Sequence, residues 1–401
     1  MPGRQSRFAA ASSNDSSCEA AVRQCISAIS SQVSDPNIVV FFASEHEPME
    51  FESIADLLRR AFPGVNVLGC NCQGTICESK EFESARSLVV WAARLEDVEL
   101  SCFHLHYQRT PEGGAFSGTK SPFDSQPLGV EHASLIALAD PFTFPMDVFL
   151  DRMREDHPGL PILGGMASGG QSPGKTQLAI NSDVVNHGAV FLLLKNERTD
   201  NRSRFATVVS QGCRPIGQTM VVTAAERNEI FKLAGLPAIE KLAGVFRELP
   251  AGEQRLLQQA LHLGIAIDEY RDRFGYGDFL IRNVVGLNQE NASLVVGDYV
   301  RVGQTVQFHL RDHLSASAEL RKLLQQQTSS HLPFSPKAGL VFSCNGRGCN
   351  LFPEPHHDAE SIQKHAGQIA LAGFFAAGEI GPVGGVNFVH GYTASLLLFF
   401  E

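Results

Sequence analysis

A thiol, a guanidinium, a carboxylate and an imidazole come close together toward the C-terminus of this chain. The loop Phe342-Ser343-Cys344-Asn345-Gly346-Arg347-Gly348-Cys349 is followed by Gly378-Glu379-Ile380-Gly381-Pro382 and then by His390-Gly391-Tyr392-Thr393. Each stretch lies at the end of an apolar segment, and side chains at strand ends can converge on one cleft. Arg347 carries a planar fork that pairs bidentately with a carboxylate. The amides of the glycine-rich loop 344–348 can form a small anion-binding nest. Glu379 sits among small and apolar neighbours, where a carboxylate needs a partner: Arg347, or the amino group of a ligand. His390 and Thr393 add polar contacts just before the last strand. The expected ligand-binding set is Ser343, Cys344, Asn345, Arg347, Gly348, Glu379, His390 and Thr393, with no catalytic residue and no metal ligand assigned.

Other readings fit some of the same residues. An internal Glu379–Arg347 ion pair fixing two loops suits the pattern as well as a ligand does. Cys344 is a nucleophile only if a neighbour lowers its pKa and a base such as His390 serves it. No cysteine-hydrolase signature surrounds it, so the chain reads as a binding module rather than an enzyme, with a Cys344-dependent enzyme as an alternative. Cys70, Cys72 and Cys77 have a Cys-x-Cys-x4-Cys spacing that suits zinc poorly. His356-His357, in a Pro-flanked loop, reads as a solvated pair. A Gly-x-x-x-x-Gly-Lys-Ser/Thr phosphate loop does not occur.

These loops need elements to hold them, and one arrangement recurs three times. A strand near 38–42, a helix near 51–61 and a strand at 65–68 lead into the glycine-rich run 69–74, with another strand at 87–92. The same order returns as 135–138, 146–155, 161–163, the run 164–170, and 189–194. It returns again as 339–342, 359–366, 371–372, the run 373–378, and 394–399. The repetition reads as internal duplication, with the three glycine-rich turns at equivalent strand ends. Phe8–Ala11 can add a first strand, and Ser16-Ser17 open a helix. Residues 211–218 look like a boundary loop. Beyond them, helices near 234–248 and 253–263, antiparallel strands at 279–285, 293–296 and 305–310, and a polar, surface-lying helix at 315–327 make a different unit. Loops at 112–127 and 170–175 are rich in Gly, Ser and Pro and read as surface loops. The fold class is α/β: two domains of mixed sheets covered by helices, built from repeated strand-helix-strand units and divided as 1–207 and 208–401.

Composition narrows the function further. The net charge of -10 disfavours a phosphate backbone as partner, so no nucleic acid is expected. Nine scattered cysteines form no disulfide framework and suit a reducing cytoplasm. The apolar run after Arg4 and Arg7 is too short for a signal peptide, and no apolar stretch reaches membrane-spanning length, so no membrane partner is expected.

The motifs, taken in order, resemble those of the FIST family. Residues 8–195 match its N-terminal region through Val40-Phe41-Phe42-Ala43-Ser44, Leu68-Gly69-Cys70 and Gly164-Gly165-Met166-Ala167-Ser168-Gly169. Residues 210–400 match its C-terminal region through the loop 342–348, Gly373–Ile380 and His390-Gly391-Tyr392-Thr393. The resemblance implies an intracellular sensory module for signal transduction that binds a small molecule, an amino acid or related metabolite. It also implies a second reading, a haem-binding nitric oxide sensor, because some members are described so; otherwise no cofactor is expected. One branch of the family carries an F-box, and no such segment precedes Phe8 here. The expected output is therefore a separately encoded signalling partner.

Overall fold

The structure is a computed structural model that describes residues 5–110, 113–119, 132–197, 204–271, 273–275, 277–330 and 334–400. The threefold repetition is real and takes a form that no local pattern reveals. In the first repeat Ile38–Ser44 and Asn66–Cys72 are parallel neighbours joined through the helix Pro48–Ala61, and Ser87–Arg94 lies antiparallel beside Ile38–Ser44. The second repeat does the same with Ala133–Ala139, Met146–Asp156, Ile162–Met166 and Ala189–Asn196. The third uses Pro336–Cys344, His357–Ala366, Ala370–Ala376 and Ala394–Phe400. A leading strand flanks each closing strand: Arg7–Ser13, Val98–Thr110 and Phe205–Ser210.

The repeats then exchange hairpins. Thr75–Cys77 and Lys80–Phe82 leave the first repeat and pair onto Ala370–Ala376 of the third. Leu178–Ile180 and Asp183–Val185 leave the second and pair onto Asn66–Cys72 of the first. Glu379–Val383 and Val386–His390 leave the third and pair onto Ile162–Met166 of the second. Each of the three sheets therefore runs in one order: leading strand, closing strand, first strand, second strand, visiting hairpin. The second sheet adds Gly113–Gly118 at its edge. That strand occupies part of the loop expected at 112–127; residue 112 and residues 120–127 lie outside the described residues.

Burial explains the composition of these strands. Every residue of Ile38–Ser44, Ala133–Ala139 and Ala394–Phe400 is buried, as continuous apolar runs in sheets covered on both faces require. The inner faces of the three sheets share one core, in which the rings of Phe42, Phe342 and Phe374 meet. Burying each such ring is worth roughly 1.5–3 kcal/mol. The outer face of the first sheet packs on its helices, and Ser17 caps the N-terminus of Cys18–Ser30.

The glycine-rich runs are not turns throughout, as the sequence suggested. Gly164 and Gly373 lie inside strands, opposite Ala137 and Val341 of their parallel neighbours. A Cβ on Gly164 would stand 1.8 Å from the Ala137 carbonyl oxygen, and one on Gly373 would stand 1.9 Å from that of Val341. Glycine is required there by close backbone approach. The turns come later, before each hairpin departs.

Residues 1–209 and 321–401 form one compact unit, and 210–320 form another. The smaller unit begins at Ser210, and most of the boundary loop expected at 211–218 belongs to the strand Cys213–Glu226. In space, however, the C-terminal segment joins the first unit, because its strands complete the third sheet and its hairpin completes the second. The smaller unit holds a seven-stranded sheet that runs from Cys213–Glu226 to Leu236–Pro237. Its helices are Ala238–Glu248 and Ala251–Ala260, and the second ends where the strand Leu261–Ala266 begins, earlier than the expected 263. The helix expected at 315–327 spans His313–Ser330. It buries Ala316, Leu320 and Leu324 and so is not simply surface-lying.

Candidate functional site

The carboxyl ends of the parallel strands in the first and third sheets open onto a cleft of about 610 Å³. Such strand ends are where α/β sheets expose groups that backbone pairing does not consume. Glu45 follows Ile38–Ser44, and Gln73-Gly74 follow Asn66–Cys72. The visiting hairpin contributes Glu81, with Glu83 just beyond it. The loop after Pro336–Cys344 contributes Asn345, Cys349 and Asn350, and Phe375 supplies apolar wall.

Hydrogen bonds join these walls. Asn345 donates through Nδ2 to Gln73 Oε1 at 3.2 Å, and its backbone N–H donates to the Ala376 carbonyl. Asn350 Nδ2 donates to the Asn345 carbonyl at 3.0 Å. The Cys349 N–H donates to both carboxylate oxygens of Glu83 at 3.0 Å. Gly348, at φ +55°, makes room for that carboxylate, since a Cβ there would lie 2.3 Å from Glu83 Oε2. Among the described lining residues three side chains carry carboxyl groups and none is basic.

Glu81 is the unusual member of the wall. It is 5% exposed, and its Oε1 accepts the Ala359 N–H at 2.9 Å, at the N-terminus of the helix His357–Ala366. Its Oε2 is buried and has no hydrogen-bond partner among the described residues. Burial, and after it the negative charge of Asp358, push its carboxyl up to about 8.

Arg347 lies behind this wall, 0% exposed. Its guanidinium takes Asp358 in a fork, Nε to Oδ2 at 2.7 Å and Nη2 to Oδ1 at 2.8 Å. Ser343 Oγ donates to the same Oδ2, and His357 Nδ1 lies 3.1 Å from Oδ1. Phe352 stacks under the guanidinium at 5.2 Å. Burial raises the Asp358 carboxyl, and the charge and hydrogen bonds of Arg347 more than reverse this, holding it well below the usual carboxylate range. The fork expected to grip an anionic ligand group thus grips Asp358, eleven residues on, and is closed off from solvent. The physical reason is that a fully buried guanidinium needs a counter-charge at hand.

The remaining expected residues gather in one neighbourhood. Glu379 and His390 face each other across a hairpin, Glu379 Oε2 accepts the Thr393 N–H at 2.9 Å, and His390 Nε2 lies 2.9 Å from the Gly381 carbonyl. The Cys344 N–H donates to the Thr393 carbonyl, and Arg347 Nη1 reaches the Tyr392 carbonyl at 3.4 Å. All of these side chains are buried, and of the eight expected residues Asn345 lines the cleft. Glu45, Gln73, Glu81, Glu83 and Asp358 were not anticipated. The sequence reads the run 69–74 as a strand-end turn, but nothing local places the hairpin after it in the third sheet.

Two other groupings resolve on geometry. Burial raises the thiols of Cys70, Cys72 and Cys77, which suits core packing and not thiolate ligation. Among the described residues no group of three or more His, Cys, Asp and Glu is placed to hold a metal ion. For haem, His356 is a poor donor. His356 Nδ1 accepts the Glu81 N–H, which leaves the proton on Nε2 and no lone pair for iron. The nearby cleft, walled by carboxylates, repels the propionates of a haem. No described helix is long and apolar enough to cross a membrane.

The family model of the FIST N domain matches residues 37–236, and that of the FIST C domain matches residues 238–382. An uncharacterized protein of Mycobacterium tuberculosis (strain CDC 1551 / Oshkosh) is 36% identical over 366 residues, covering 91% of this chain and 92% of the relative. An uncharacterized protein of Mycobacterium bovis is 35% identical over 367 residues, covering 91% of each.

Proposed function

The chain belongs to the FIST family, whose domains are sensory, signal-transducing and small-ligand-binding, and from this premise we propose that it senses an amino acid or related polar metabolite in the cleft walled by Asn345, Gln73, Glu81 and Glu83. One observation carries the reading: the cleft lies at parallel strand ends, has the volume of a small-molecule site, and joins segments from two repeats through the Asn345–Gln73 bond. Occupancy then stiffens the contact between the visiting hairpin and the 344–350 loop, and a separate cytoplasmic partner reads that state. Arg347, Ser343, Glu379, His390 and Thr393 act in this reading by fixing the loop that carries Asn345, and Cys344 serves as a packed thiol.

A thermal-shift screen of amino acids, amines and organic acids tests it, since a ligand that binds only the folded chain raises its melting temperature. The expected result is a shift with at least one compound class that is lost in Asn345→Ala. Failure of every compound, or shifts unaffected by that change, rejects the cleft as the sensing site.

A further inference from the structure

We propose that the cleft recognises its ligand through a positively charged nitrogen, with Glu81 as the buried counter-ion, and so prefers cationic amines and guanidines over anions and neutral zwitterions. This rests on the reading of the cleft as the ligand site. Three observations converge on it. Among the described residues the lining carries the carboxyl groups of Glu45, Glu81 and Glu83 and no basic side chain. Glu83 is held in place by the Cys349 N–H and by the space at Gly348, so the wall is organised before any ligand arrives. Glu81 is more than nine-tenths buried, with one oxygen spent on the Ala359 N–H and the other without a hydrogen bond in the described structure.

A buried carboxylate oxygen with no donor is costly, and an ammonium or guanidinium N–H is the strongest donor that could meet it. Asp358, whose charge acts on Glu81, cannot serve as that donor because Arg347 holds it ionised, with no proton to give. A ligand carboxylate would instead meet the charges of Glu45 and Glu83, with no cation among the described lining residues to offset them. The cleft is therefore built for a basic amino acid or its decarboxylated amine more than for an acidic metabolite.

Calorimetric titration of the full chain with 1,4-diaminobutane, ethylguanidine, glycine and succinate distinguishes these classes. The expected result is saturable binding of the diamine or the guanidine, at least tenfold tighter than glycine or succinate. Glu83→Gln and Glu81→Gln should each weaken it at least tenfold. Glu45→Gln, on the exposed rim, keeps the test open should the buried substitution fail to fold, with a threefold or greater loss expected. Succinate or glycine binding as tightly as the cations, with loss in Asn345→Ala, overturns the cation preference and leaves the cleft as the site. Cation binding untouched by all three glutamine variants overturns the preference too, and no binding by any probe counts against the cleft itself.

Discussion

Asp358 and Glu81 are neighbouring buried acids that the protein treats in opposite ways. Asp358 receives two hydrogen bonds from Arg347 and one from Ser343, has His357 Nδ1 at 3.1 Å, and is held ionised. Glu81 receives the Ala359 N–H on one oxygen, and its other oxygen is unmatched among the described residues. Burying a charge costs several kcal/mol, and Arg347 offsets that cost for Asp358 from within the chain. Glu81 has no such partner, and burial keeps its proton on near neutral pH, so in the proposed reading it ionises when a positive charge arrives from outside. The two acids differ in place as well: the saturated pair lies buried behind the 343–350 loop, and the unsaturated acid lines the cleft that the loop walls.

The largest expected effect comes from breaking the saturated pair. Arg347→Met should leave Asp358 buried without its counter-charge and cost about 3–5 kcal/mol in urea unfolding. The double change Arg347→Met with Asp358→Leu should recover most of that loss, because the charge and its partner leave together. A double variant as unstable as the single one would show that the pair is not the main tether.

The two acids should also titrate oppositely. The folded Glu81 value near 8 lies above an unfolded value of about 4.3. The folded state then keeps a proton that the unfolded state has released. Glu81 is therefore least harmful to stability below about pH 4, and stability is lost as pH rises from there through 8. Glu81→Gln should flatten the stability profile between pH 5 and 9. Asp358, with its depressed folded value, should contribute stability at neutral pH that is lost only in acid. Parallel profiles for the wild type and Glu81→Gln would contradict this assignment. Smallest is Ser343→Ala, which removes one of the bonds to Asp358 and should cost about 1 kcal/mol, measured by the same unfolding curves.

Much of this architecture was legible in the sequence. Continuous apolar runs such as Ile38–Phe42 and helical spacing in segments such as 146–155 identified three units, because both signals are local. Glycines 164 and 373 read as turn residues at strand ends, whereas they sit within strands, where close approach of the neighbouring backbone requires them. The hairpin exchange was not legible. Thr75–Cys77 is short and wholly buried, and nothing in its pattern distinguishes its own sheet from the third. The helix near 253–263 ran too far because no glycine or proline marks the passage into Leu261–Ala266. At the site, the sequence pointed to the 343–348 loop but not to the acids that meet it. Glu83 and Cys349 touch across 266 residues of chain, a contact only the exchanged hairpin creates. The partner of Arg347 was hidden for a simpler reason: Asp358 is one of several acids a turn or two away, and burial alone singles it out.

The central claim is that an amine entering the cleft becomes the missing partner of Glu81. Calorimetric titration of the chain with 1,4-diaminobutane at pH 7, in two buffers of different ionisation enthalpy, tests it directly. Glu81 should give up its proton as the cation binds, so the heats should differ between buffers by an amount that reports net proton release, and Glu81→Gln should abolish that difference. Equal heats in both buffers, or the same proton release with glutamine at position 81, would contradict the account.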